Sequence, residues 1–104
     1  MRCLMKVQIP VEAGNDGLKS GKLPRLMQQT LEELKPEAAY FTPEKGLRTA
    51  YIVFDLKDTA DMVTIPEKLF QEVNAAVEIF PVMDQQDLMT GLERAGFMAG
   101  VAKR

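Results

Sequence analysis

From Arg2 to Ile9 the chain alternates: Cys3, Met5, Val7 and Ile9 fall on one side, Leu4, Lys6 and Gln8 on the other. A period of two predicts a strand with one buried face, and Pro10 ends it. Val11 to Lys22 is punctuated by Gly14, Gly17 and Gly21, which predicts a loop holding at most a short helical turn around Leu18. The period then changes. Leu23, Leu26, Met27, Thr30, Leu31 and Leu34 recur every three or four residues, bracketed by Pro24 and Pro36, the pattern of an amphipathic helix.

Two further strands follow, Glu37 to Thr42 and Leu47 to Leu56, with Thr42-Pro43-Glu44-Lys45-Gly46 between them as the expected hairpin turn. In the second arm Ala50, Ile52, Phe54 and Leu56 share one face, and Thr49, Tyr51, Val53 and Asp55 the other. Asp58 or Thr59 is placed to cap a second helix that buries Met62, Val63, Pro66, Leu69, Phe70 and Val73, with a kink expected at Pro66. A last strand, Ala75 to Met83, carries Val77 and Ile79 on one face and Glu78, Phe80 and Val82 on the other. Asp84 caps a terminal helix with Leu88, Met89, Leu92 and Ala95 predicted to face inward, and an apolar tail from Phe97 to Val101 is expected to dock on a partner subunit or on its own sheet.

The order β-α-β-β-α-β-α predicts an α+β fold: a ferredoxin-like βαββαβ sandwich with a four-stranded antiparallel sheet, an extra C-terminal helix, and one domain over residues 1–104. Helices cover one face of such a sheet. The other face collects Leu4, Lys6, Gln8, Tyr40, Thr49, Tyr51, Val53, Asp55, Glu78, Phe80 and Val82, too apolar for a solvated surface and too charged for a core. That mixture predicts a homodimer, with the face either an interface or the lining of an enclosed pocket. Lys6, Gln8, Tyr40, Tyr51, Asp55 and Glu78 are the candidate pocket residues. The first strand is central in this topology, which sets Lys6 opposite Glu78 and predicts an ion pair between them.

Composition narrows the chemistry. There is no histidine and a single cysteine, Cys3, so histidine-based zinc and haem sites and Ser-His-Asp or Cys-His catalysis lack their residues; no metal or cofactor is expected. Asp55, Asp58 and Asp61 do not follow a calcium-loop pattern, and the glycines do not match a phosphate-binding fingerprint. With a net charge of −2 the chain has no electrostatic reason to bind nucleic acid or an anionic membrane. Arg48 to Phe54 is similar to the aromatic strand of RNA-recognition motifs, but the first strand offers no partner aromatic. Short apolar runs, no leader pattern and one cysteine predict a cytoplasmic protein.

Lys6-Val7-Gln8-Ile9-Pro10-Val11-Glu12-Ala13-Gly14-Asn15, Leu34-Lys35-Pro36-Glu37-Ala38-Ala39-Tyr40-Phe41 and Asn74-Ala75-Ala76-Val77-Glu78 resemble a small bacterial family of unknown function within the dimeric α+β-barrel superfamily. The resemblance implies two ferredoxin-like subunits packed sheet to sheet. It also implies relatives such as muconolactone isomerase, cofactor-free quinone-forming monooxygenases and haem-degrading enzymes, the last of which rely on a histidine this chain lacks. It transfers no catalytic residue. Three functions remain: a metal-free enzyme acting on a small aromatic or quinone-like molecule by isomerisation or oxygenation, with Lys6, Tyr40, Tyr51 and Glu78 handling protons; a non-catalytic small-molecule binder; or a structural dimer module.

Overall fold

In a computed structural model, which describes residues 1–98, four strands form one antiparallel sheet in the order β2-β3-β1-β4. The elements are β1 (Arg2–Ile9), α1 (Val11–Ser20), α2 (Lys22–Leu34), β2 (Ala38–Glu44), β3 (Leu47–Asp55), α3 (Asp61–Val73), β4 (Ala76–Pro81) and α4 (Gln85–Arg94). This is the ferredoxin-like α+β arrangement, with β1 central between β3 and β4.

Alternation in β1 and β3 builds the core. Cys3, Met5, Val7 and Ile9, with Ala50, Ile52, Phe54 and Leu56, lie buried under Leu23 and Leu26 of α2 and Leu69 and Val73 of α3. Phe54, Met5, Ile52 and Leu69 are the largest wholly enclosed side chains, and each contributes on the order of 2 kcal/mol by leaving water. Cys3 is one of these packed apolar groups.

Four local expectations need correction. The glycine-punctuated stretch is not a loop but α1, whose buried residues are Gly14 and Gly17. Tertiary packing overrides poor helix propensity there, because missing side chains let the helix backbone approach its neighbours. The hairpin turn is tighter than expected. β2 runs on through Pro43 to Glu44, leaving only Lys45 (φ 53°) and Gly46 (φ 78°) to reverse the chain, the left-handed pair of a two-residue hairpin. Pro43 is tolerated because β2 is an edge strand.

In α3 the cap is not a side chain of Asp58 or Thr59. The first turn is led by backbone bonds from Asp61 to the Asp58 carbonyl and from Met62 to the Thr59 carbonyl. The helix runs unbroken past a buried Pro66, and Met62, Val63 and Phe70 lie exposed while Ile65 packs against the core. Lastly, α4 has the expected Asp84 cap, in a reciprocal box with Asp87, but buries none of its residues. Leu88 is exposed, as are Ala95 and Phe97. Beyond Met98 the predicted docking of the tail lies outside the described residues.

Arg2 ties the start of α4 to the sheet. Its guanidinium reaches Glu37 at 2.6 Å, Asp84 at 3.2 Å and Asp87 at 3.6 Å. These carboxylates, the Glu37 hydrogen bond first among them, hold its pKa above the ordinary arginine value. Among the described residues no helix is long and apolar enough to cross a membrane.

Candidate functional site

On the sheet face away from the helices, register aligns side chains in rows. One row runs Tyr40, Tyr51, Lys6, Glu78 from β2 to β4; the next runs Ala38, Val53, Leu4, Phe80. Lys6, Gln8 and Tyr51 are drawn together by a residue outside the predicted set, Glu44. Lys6 Nζ lies 2.6 Å from Glu44 Oε2, Gln8 Nε2 donates to the same oxygen at 3.4 Å, and the Tyr51 hydroxyl donates to Oε1. Gln8 also donates to Thr49 Oγ1 at 3.3 Å, and the Lys6 ammonium stands 5.7 Å from the centre of the Tyr51 ring.

The other candidates are elsewhere. Glu78 registers opposite Lys6, but the ion pair expected between them is replaced by Lys6–Glu44. Tyr40 sits beside Tyr51 with its ring in solvent, and Asp55 binds the N-terminal ammonium at 2.7 Å at the far end of the strand.

The chemistry of this cluster is that of a clamp. The hydrogen bond to Glu44 raises Lys6, and donation to Glu44 raises Tyr51, each above its ordinary value. Bonds from Lys6 and then Tyr51 hold Glu44 below the usual carboxylate range. All three move away from neutrality, whereas a proton shuttle works best with a pKa near the operating pH. Glu44 had a legible signal. Alternation from Tyr40 through Thr42 puts it on this face once the turn is shortened to Lys45-Gly46.

The opposite, helix-bearing side holds a cavity of about 390 Å³. Ile9, Phe41, Thr42, Pro43, Arg48, Thr49 and Ala50 form its floor, and Leu18 of α1 with Leu23, Pro24 and Met27 of α2 form its roof. The fold explains the space. The helices cover β1 and β3 more completely than the edge strand β2, whose Phe41 stays 56% exposed, and the small side chain of Ala50 leaves depth beneath.

Among the described residues Arg48 is the one charged member of this lining. Its Nη2 donates to Asn15 Oδ1 at 2.9 Å and its Nη1 to the Val11 carbonyl at 3.4 Å. Gly14 makes that seat: a Cβ there would stand 2.5 Å from Nη1. None of these pocket residues was among the sequence candidates. The available signal was Arg48 itself, a charge at a position that alternation with Ala50, Ile52 and Phe54 assigns to the core face. A smaller crevice of about 240 Å³ lies between Arg2, Glu37, Phe54 and Asp55. Among the described residues no three Cys, Asp or Glu side chains gather as a metal site would require.

Neither a protein-family model nor a curated protein matches the sequence. Among solved structures, the chain is similar to part of a formyltetrahydrofolate deformylase from Pseudomonas putida KT2440, with a TM-score of 0.54 and 11% identity. The match covers 93% of this chain and 39% of the deformylase chain. At that identity the likeness concerns the fold alone.

Proposed function

We propose that the protein is a non-catalytic small-molecule-binding module, working as a homodimer, whose ligand enters the cavity between α1, α2 and the β2–β3 hairpin. The observation that carries this reading is the cavity: about 390 Å³, walled mostly by apolar side chains, with Thr42, Thr49 and one cation, Arg48, among the described residues. Its size falls within the roughly 300–1,000 Å³ of small-molecule sites. The alternative, a metal-free enzyme handling protons through Lys6 and Tyr51, is less well supported, because their shifts lead away from neutral pH. Self-association is supported by the row Ala38, Val53, Leu4 and Phe80 on the open face and by an α4 with no buried residue. Pairing through that face would leave the cavity, on the other side of the sheet, free.

Native mass spectrometry of purified protein for a retained ligand, followed by amide chemical-shift mapping with a fragment library, tests the reading. Binders should perturb Met27, Phe41 and Ala50. Binders that map instead to Lys6, Tyr51 and Glu44, or a library with no binder at all, would sink it.

A further inference from the structure

We infer that the cavity selects a monocarboxylate with a compact apolar body, and that Arg48 anchors the carboxylate. This rests on the reading of the cavity as a ligand site and adds the chemistry of the ligand. Arg48 is the only charged side chain of the lining, and it forms no ion pair among the described residues. Arg2, Lys6, Lys22 and Lys68 each meet a carboxylate. Arg48 instead meets two neutral oxygens, of Asn15 and of the Val11 backbone. These orient the guanidinium without neutralising it.

A guanidinium has five N–H donors in a planar fork. Two hydrogen bonds are recorded for Arg48, so donors remain for a guest. A carboxylate matches the fork in charge and plane and can accept two parallel bonds. Next to apolar walls such bonds are less screened than in open water. Apart from Thr42 and Thr49 the rest of the lining is apolar, with Ile9, Leu18, Leu23 and Phe41 suited to a hydrocarbon or aryl body. One cation argues for one negative charge, and an amine would meet it with repulsion. Gly14 and Asn15, adjacent on α1, together seat the fork.

The test measures dissociation constants by titration calorimetry, with amide shifts locating each probe, for octanoate and 3-phenylpropanoate against their neutral amides. Wild type should prefer each acid by about ten- to a hundredfold, the range a charge-assisted hydrogen bond supplies. Arg48→Met, which keeps the apolar stem, should abolish the preference by weakening the acid far more than the amide; Arg48→Lys should retain part of it. Equal binding of acid and amide to wild type, mapped to the cavity, would overturn the carboxylate anchor while leaving the cavity a binding site. Failure of all four probes to shift the cavity amides would overturn both. The wild-type comparison stands even if a variant fails to fold.

Discussion

Lys6 and Glu78 are direct neighbours across β1 and β4, yet the Lys6 ammonium turns the other way, past Tyr51, to pair with Glu44 at 2.6 Å. Lys6, Tyr51 and Gln8 all donate to that one carboxylate. Glu44 thereby fastens the end of edge strand β2 to central strand β1, holding the hairpin that floors the cavity on the opposite side.

Glu44 should make stability pH-dependent at both extremes. Its folded pKa is lowered, so its contribution is present above the unfolded value of about 4.3 and lost as pH falls through the folded one. Lys6 and Tyr51 are raised, so their contribution is whole below unfolded values of about 10 and lost as pH rises through the folded ones. Glu44→Gln should lower the melting temperature at pH 7, and the gap should narrow as pH falls below the unfolded value and through the lowered folded one. Thermal melts across pH check this; a gap of constant size would show that the charge contributes nothing.

Tyr51→Phe keeps the ring and removes the hydroxyl that Glu44 accepts from. Because Tyr51 stands on the open face and is not part of the cavity lining, the substitution should lower the melting temperature and leave probe affinity at the cavity unchanged. Weakened binding with unaltered stability would place the ligand on the open face instead.

Gly14→Ala should act on binding through Arg48. The new Cβ would lie 2.5 Å from Nη1 and 3.3 Å from Cδ, so the guanidinium must leave its seat. Alanine also favours the helix by roughly 0.5–1 kcal/mol, so overall stability should change by no more than about 1 kcal/mol. The acid-over-amide preference should fall severalfold by calorimetry. An undiminished preference would mean that the seat is not needed.

If the open face is a dimer interface, light scattering at micromolar concentration should give twice the chain mass, and Phe80→Glu should yield a folded monomer. Phe80 is 42% exposed in the single chain, so a charge there harms the isolated fold little but is costly when sealed in an interface. A wild-type monomer at that concentration would refute the pairing.

Leu69→Ala marks the core rather than the site. The side chain is wholly buried between α3 and the sheet, so the loss should be about 2–5 kcal/mol by denaturant unfolding. A cost below about 1 kcal/mol would show that the core collapses around the gap.

Local pattern alone determined β1, β3, α2 and the order of the strands, because a buried face writes its period into the chain. From that order came the antiparallel sheet with β1 at its centre, and hence the row Tyr51, Lys6, Glu78. Tertiary structure decided three things. Gly14 and Gly17 form a helix because close packing outweighs their backbone entropy, a gain no local window records. Lys6 chose Glu44 over Glu78 because its long side chain reaches diagonally across the sheet, beyond what strand register predicts. The cavity beneath Phe41, Ala50 and Arg48 exists because the helices leave an edge strand partly uncovered. A void between elements has no period in the sequence; it follows only from how far apart the packed layers come to rest.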